Sequence, residues 1–280
     1  MKTKIGVLDT TLRDGAQSAL VSYTVKDKLK ILDILDALGI GFAEGGAPAA
    51  ITKDEELFAY LKRERVRFRT LKPVAFHSTC REGVAAREDE LLRKTVSLSD
   101  EYVSLYGKSS LAQVISVLRT SDTENLRMIA DSISYCRENG KRVIFEGEHF
   151  FDGYRNDPGY AMQTLVSAVN AGAERVVLCD TNGGSMPGEI KRVVREVCKA
   201  LSVPVGIHCH NDCGLAVANT LFAVEGGAVD VHGTFCGIGE RCGNTDLCTV
   251  IPDLQLKMGF SVLPPDRLRL LTGSARRIAD

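Results

Sequence analysis

The sequence predicts an α/β protein folded as a (β/α)8 TIM barrel, a single domain that spans residues 1–280. The chain has 280 residues, which is close to the typical length of such a barrel. Short β-branched segments alternate with longer helical patterns eight times along the chain. Polar residues cluster directly after the predicted strands, at the end of a barrel where active sites form.

Eight short apolar segments have the composition of buried parallel strands. The third contains Pro73, which cannot donate a ladder hydrogen bond and is unusual inside a sheet. The predicted strands are residues 5–8, 41–43, 71–76, 102–105, 143–145, 176–178, 205–207 and 229–231.

Apolar residues recur at helical spacing between these strands, and the opposite faces are charged. Gly39, Gly140 and Gly172 follow predicted helices, so we expect them to be C-terminal caps. No Ser/Gly-rich linker divides the chain into domains. Two of the apolar faces consist of Ile31, Leu32, Leu35 and Leu38 and of Leu126, Ile129, Ala130 and Ile133.

Composition excludes several classes of protein. The 35 Lys and Arg residues balance 36 Asp and Glu residues, so no global positive field attracts nucleic acid or an anionic membrane. No apolar run reaches the ~20 residues that span a bilayer. Asp9 interrupts the first apolar stretch before a signal-peptide core forms, so we expect a cytoplasmic protein.

The nine cysteines contain no Cys-x-x-Cys pair, so we expect free and mostly buried thiols. An all-thiolate zinc site is disfavoured, because Cys209 alternates with two histidines and should face away from them. Cys242 is the thiol that we do not assign to the core. The cysteines considered for such a site are Cys209, Cys213, Cys236, Cys242 and Cys248.

His208 and His210 are two residues apart at the end of a predicted strand, so both side chains point to the same face. With Asp14 after another strand, they favour a metal site over a hydrogen-bonded cluster that merely closes the barrel. Arg13 beside Asp14 suits an oxyanion, and its alternative is a structural salt bridge. Gly237-x-Gly239 lacks the full dinucleotide fingerprint, so we reject a Rossmann fold.

Three motifs together resemble the DRE-TIM metallolyase superfamily: LDTTLRDGAQ at 8–17, HCHND at 208–212 and GIGERCGN at 237–244. Within it, EHFFDGY at 148–154 and CDTNGG at 179–184 are most similar to the citramalate synthase group. That group is related to the 2-isopropylmalate and homocitrate synthases. The likeness extends from about residue 5 to about residue 259.

The resemblance implies an acyltransferase of amino-acid and isoleucine biosynthesis that condenses acetyl-CoA with a 2-keto acid, favours pyruvate and then hydrolyses the thioester. It implies a divalent metal, Mg²⁺ or Mn²⁺ with Zn²⁺ or Co²⁺ also accepted, held by Asp14, His208, His210 and Asn244. The remaining implied roles are charge stabilisation by Arg13, carboxylate binding by Thr181, proton abstraction by Glu148 with Glu146 as the alternative, and pocket support by Gln17.

The sequence also departs from that group. Its members usually continue into a linker, which supplies His and Tyr to a partner subunit, and into a regulatory domain, whereas this sequence ends at Asp280. We therefore expect the barrel alone. Barrels of this family usually pair, so the resemblance also implies a homodimer, although the missing region is part of what joins the subunits. Residues 44–50 read EGGAPAA where a Trp-Pro-Gly sequence is common, so we expect the substrate pocket or the approach of CoA to differ.

The alternatives are a 2-isopropylmalate or homocitrate synthase, a lyase like 3-hydroxy-3-methylglutaryl-CoA lyase, and an inactive barrel that binds a metal or a keto acid. The last loop lacks the glycine-cysteine-proline signature of the lyase.

Overall fold

Eight parallel strands close into a barrel in the computed structural model, which describes residues 3–19 and 21–280. Each strand pairs with the next along the chain, and the last pairs with the first. All eight predicted strands are present, including the one that contains Pro73. The strands are β1 (Gly6–Asp9), β2 (Phe42–Gly46), β3 (Lys72–Ser78), β4 (Tyr102–Lys108), β5 (Arg142–Glu148), β6 (Arg175–Asp180), β7 (Val205–Cys209) and β8 (Asp230–Gly233).

Helices connect the strands and surround the barrel. A short helix at Leu111–Gln113 runs into a π-helical turn at Val114–Leu118 before the fourth long helix. The others are α1 (Val25–Leu38), α2 (Thr52–Arg63), α3 (Glu90–Leu98), α4 (Asp122–Glu138), α5 (Phe150–Asn156), α6 (Pro158–Asn170), α7 (Pro187–Ala200), α8 (Ala216–Gly226), α9 (Leu247–Pro252) and α10 (Leu271–Ala279).

Helix ends follow the sequence signals. Thr24 and Asp27 form a capping box at the start of α1, in which each side chain accepts a hydrogen bond from the backbone of the other. Gly39, Gly140 and Gly172 all have positive φ, which confirms that they end the helices before them. In α4 the predicted face is rotated, because Leu126 and Ala130 are half-buried whereas Met128 and Cys136 are buried.

The core has two parts. The larger lies between the strands and the helices, and the smaller fills the amino-terminal half of the barrel with Leu8, Val74, Tyr102, Ile144 and Val177. No helix of the described residues is long and apolar enough to cross a membrane.

All nine thiols are free, as predicted. The prediction that most are buried is wrong, because four are buried, two are half-buried and three are exposed. The exposed ones follow strands in the mouth loops: Cys213, Cys236 and Cys242.

Candidate active site

On several strands, the side chains that point into the barrel change from apolar to polar toward the carboxyl end. On β5, Ile144 is part of the inner core, and the period of two places Glu146 and Glu148 above it. On β7 the same alternation carries His208 and His210 into the mouth of the barrel. The result is a polar cavity of about 220 Å³. It is lined by Arg13, Asp14, Gln17, Phe76, Tyr106, Glu146, Glu148, Cys179, Thr181, His208, His210 and Glu240.

Three of these residues form a candidate metal centre. His208 Nε2 lies 3.1 Å from Asp14 Oδ2 and 3.4 Å from His210 Nε2. One ligand atom from each residue lies within 4.8 Å of the others. Asn244 is adjacent, because it forms a β-bridge with His210. Its Oδ1 atom is buried and accepts no hydrogen bond from the described residues.

The charge states of this group suit a metal ion. Burial raises the pKa of Asp14, but the charge of Arg13 and the contact with His208 outweigh it and hold that pKa below its ordinary value. Burial, aided by His208, lowers the pKa of His210 to about 3. At neutral pH the group therefore offers an ionised carboxylate and a neutral imidazole, which are the forms that bind metals. With the unpartnered Asn244 oxygen, the residues fit a divalent cation.

Arg13 lies between two carboxylates. Its Nε donates to Glu44 Oε2 at 2.6 Å, and Nη1 lies 3.3 Å from Asp14 Oδ2. The guanidinium also stacks on the Phe76 ring, 3.9 Å from the centroid. Burial lowers the pKa of Arg13, but the two carboxylates more than offset this and raise it, so the side chain stays charged. Arg13 is thus both ion-paired and part of the cavity wall.

The two glutamates of β5 differ in environment. Glu146 is buried and accepts a hydrogen bond from Ser104 Oγ at 2.6 Å. Burial and the nearby Glu44 raise the pKa of Glu146 well above its usual range, which favours its protonated form. Glu148 is 24% exposed, and its Oε2 lies 2.5 Å from Lys108 Nζ. Of the two glutamates, Glu148 lies nearer the opening of the cavity and is the one paired with a lysine.

Thr181 lies where a ligand could reach its hydroxyl. Its Oγ1 accepts a hydrogen bond from the His149 N–H at 2.8 Å, which leaves the hydroxyl hydrogen able to donate into the cavity. Arg241 fixes the neighbouring backbone, because its Nη2 donates to the Thr181 carbonyl at 2.7 Å while its guanidinium pairs with Asp212. Gln17 is exposed and lines the cavity from the loop after β1.

Sequence reasoning missed several groups of the mouth. Glu44 follows the second predicted strand, lies within β2 in the structure, and has no role predicted from the sequence. Lys108 and His232 lie beyond the predicted limits of their strands, which ended at the last apolar residue. His232 is buried, and neither ring nitrogen has a hydrogen-bond partner among the described residues. Extending the fourth predicted strand by three residues and the eighth by one would have found Lys108 and His232.

The amino-acid sequence matches a known protein family over nearly its whole length, because residues 4–263 match the HMGL-like family. The chain belongs to the HMGL-like family. This membership confirms the resemblance to the DRE-TIM metallolyase superfamily that the three sequence motifs indicate.

Two relatives have similar sequences along the chain. An (R)-citramalate synthase of Synechocystis sp. is 47% identical over 287 residues, which cover 100% of this chain and 52% of that protein. An (R)-citramalate synthase of Aquifex aeolicus is 44% identical, over 100% of this chain and 53% of that protein. The chain thus spans about half the length of the curated relatives that it matches.

Solved structures agree with the fold. The HMG-CoA lyase of Bacillus subtilis has a TM-score of 0.81 over 99% of this chain and 93% of the lyase chain. Its sequence identity is only 16%, so this likeness supports the barrel fold alone.

Proposed function

We propose that this barrel carries out the metal-dependent condensation of acetyl-CoA with pyruvate, which gives citramalate after hydrolysis of the thioester. It would thereby act as an acyltransferase of amino-acid biosynthesis. The observation that carries the proposal is the group of Asp14, His208 and His210 beside Arg13 in one small cavity. The similarity to two citramalate synthases, at 47% and 44% identity, supports the choice of reaction.

A divalent metal would be held by Asp14, His208, His210 and Asn244. Mixed oxygen and nitrogen ligands suit Mg²⁺ or Mn²⁺, with Zn²⁺ or Co²⁺ as alternatives. When bound, the ion would orient the 2-keto acid and withdraw electron density from its carbonyl group.

The protein's own groups would bind the rest of the keto acid. Arg13 keeps N–H groups free of its bond to Glu44, and these would donate to the keto oxygen as it gains negative charge. Thr181 would donate its hydroxyl hydrogen to the substrate carboxylate, since its oxygen already accepts from the His149 N–H. Gln17 would support the substrate from the rim.

Glu148 is the proposed base. It would take a proton from the acetyl methyl group, and the resulting carbanion would form the new bond to the keto carbon. The alkoxide would then take up a proton, and water would cleave the thioester to release CoA. Glu146 is less suited to the first step, because burial raises the pKa of its carboxyl group well above the usual range and so favours the protonated form.

The cavity favours a small keto acid with an uncharged side chain. Its volume is about 220 Å³, and the acidic residues Glu148 and Glu240 line it beside Asp14. A second carboxylate, as in a keto diacid, would meet these negative groups. Exclusion of longer aliphatic keto acids would be weaker, because one methylene group changes binding by only ~1–3 kcal/mol.

The test is release of free CoA, with and without each component, followed by identification of the product. We expect release only when acetyl-CoA, a divalent metal and pyruvate are all present, and a panel of keto acids would rank the alternatives. Cleavage of 3-hydroxy-3-methylglutaryl-CoA would favour a lyase instead. Metal binding without any turnover would favour a non-catalytic barrel. Sedimentation of the same sample would test the predicted homodimer.

A further inference from the structure

Lys28 is a buried lysine that takes no part in the chemistry described above. It lies in the first turns of α1 and is only 3% exposed. Its ammonium group donates to the Leu12 carbonyl at 2.8 Å, to the Gly45 carbonyl at 3.0 Å and to Asp54 Oδ1 at 2.5 Å. A lysine has three N–H donors, so all of them are used.

The two carbonyls belong to the segments that carry the arginine and its carboxylate partner. Leu12 directly precedes Arg13, and Gly45 directly follows Glu44. The paired residues of β1 and β2 end at Asp9 and Ala43, which is before either functional side chain. Beyond that point, the Lys28 ammonium is a direct link between the two backbone segments.

Asp54 completes the link from α2. Its second carboxylate oxygen accepts a hydrogen bond from the Ala47 N–H at 2.8 Å, so it also holds the end of β2. The chain fits closely around it, since a Cβ atom at Gly46 would lie 2.1 Å from Asp54 Oδ2. Gly46 has a φ of 137°, a conformation that favours glycine.

Stability alone is a poor reason to retain this pair. Burying two charges costs several kcal/mol for each ion, and apolar replacements of buried pairs are often neutral or stabilising. A positive charge near a helix N-terminus is also unfavourable with respect to the helix dipole. The geometry of the contacts therefore accounts for the pair better than its contribution to the free energy of folding does.

We propose that Lys28, held by Asp54, is a positioning residue that sets the relative positions of Arg13 and Glu44 at the barrel mouth. The inference rests on the condensation proposed above, because it assigns the pair to that reaction. Through Leu12 the pair also restrains Asp14, two residues further on. Lys28 itself contacts neither the metal ligands nor the cavity in which the substrate would bind.

The experiment compares two double variants of the full chain. Lys28→Met with Asp54→Asn removes the pair, and Arg175→Met with Asp230→Asn removes an ion pair of 2.7 Å between β6 and β8 at the opposite end. For each we would measure the melting temperature, the Mn²⁺ affinity by calorimetry, and kcat and KM for pyruvate.

We expect the first variant to lose ~10- to 100-fold in kcat, with a smaller change in KM, because a displacement of about 1 Å at a catalytic group has effects of that size. Its Mn²⁺ affinity should also fall, while the second variant keeps both values within a few-fold. Equal losses in the two variants would overturn the proposal.

Asp54→Asn alone is the second variant, because it keeps the size of the side chain if the double variant does not fold. It should lower kcat in the same direction by a smaller factor, and a wild-type kcat would count against the proposal. If the wild-type chain shows no turnover, the proposed function fails, and the Mn²⁺ affinities still decide whether the pair positions Asp14.

Discussion

Both ends of the barrel hold charged side chains, but the two ends differ in how far these side chains have ion-pair and hydrogen-bond partners. At the amino-terminal end, Arg142 pairs with Glu101 and Glu174, and Arg175 pairs with Asp230 and Glu174. Both guanidinium groups also stack on aromatic rings, each 4.8 Å from a centroid. Among the buried polar atoms of these two arginines, only Arg175 Nε lacks a hydrogen-bond partner within the described residues.

At the carboxyl end, buried polar atoms remain without partners within the described residues. They include His208 Nδ1, His210 Nδ1, Glu44 Oε1, Asn244 Oδ1 and both ring nitrogens of His232. A buried polar atom without a partner costs ~1–3 kcal/mol. A chain that neutralises charge at one end and leaves donors and acceptors open at the other therefore marks the second end as the place for a ligand.

The largest effect on turnover should come from Glu148, the proposed base. Glu148→Gln keeps the size of the side chain and removes its basicity, so turnover should fall by ~10²- to 10⁴-fold with Mn²⁺ binding intact. Steady-state kinetics with pyruvate and calorimetry on the same samples would measure both.

Glu146→Gln is the matched control, because burial raises the pKa of this carboxyl group well above its usual range and so favours the protonated form. Its turnover should stay within a few-fold of wild type. A dead Glu146→Gln beside an active Glu148→Gln would move the base by two residues. Full activity in both variants would mean that the proton leaves through another group.

The second-largest effect should be the loss of Mn²⁺ affinity when one candidate metal ligand is removed. His210→Ala should lower the Mn²⁺ affinity at least ~100-fold, since even loss of a residue that supports a metal ligand costs ~10- to 100-fold. Calorimetric titration with Mn²⁺ measures this directly. An affinity equal to that of wild type would remove His210 from the metal site and leave the open donors of the mouth unexplained.

The sequence predicts more of the fold than of the mouth's interior. Strands are visible because buried parallel strands need short apolar runs, but their polar ends follow the same alternation and look like loops, so Lys108 was missed. Lys26, Lys28 and Lys30 alternate at the start of α1 and look alike in sequence. Only the tertiary contacts with Leu12 and Asp54 distinguish Lys28.

A substitution at Asp9, at the end of β1, tests how the free energy of unfolding depends on pH. Burial raises the pKa of Asp9 to about 7 from an ordinary 3.8, against the hydrogen bonds from Thr11. Between pH 4 and 7 the folded chain holds a proton that the unfolded chain releases, so this contribution to stability is lost as the pH rises. The Asp9→Asn variant imitates the protonated form and should lack this loss.

The expected difference is measurable by urea denaturation. Relative to wild type, Asp9→Asn should gain up to about 3 kcal/mol of unfolding free energy between pH 5 and pH 7, at about 1.4 kcal/mol per pH unit. Above pH 8 the difference should become constant. A difference that does not vary with pH would show that Asp9 is ionised throughout, and that burial at the mouth is less severe than the structure indicates.

The smallest effect should come from the amino-terminal end. Arg142 is 45% exposed, and exposed ion pairs are worth ~0–1 kcal/mol, so Arg142→Met should lower the unfolding free energy by less than about 1 kcal/mol. This loss of unfolding free energy should be smaller in 1 M salt, where the Debye length is only about 3 Å.

Turnover and Mn²⁺ affinity of Arg142→Met should equal those of wild type, because the partners of Arg142 are Glu101 and Glu174 and lie away from the cavity. A severalfold loss of turnover at unchanged stability would break the contrast between the two ends, since it would mean that the ion-paired amino-terminal end also controls the geometry of the mouth.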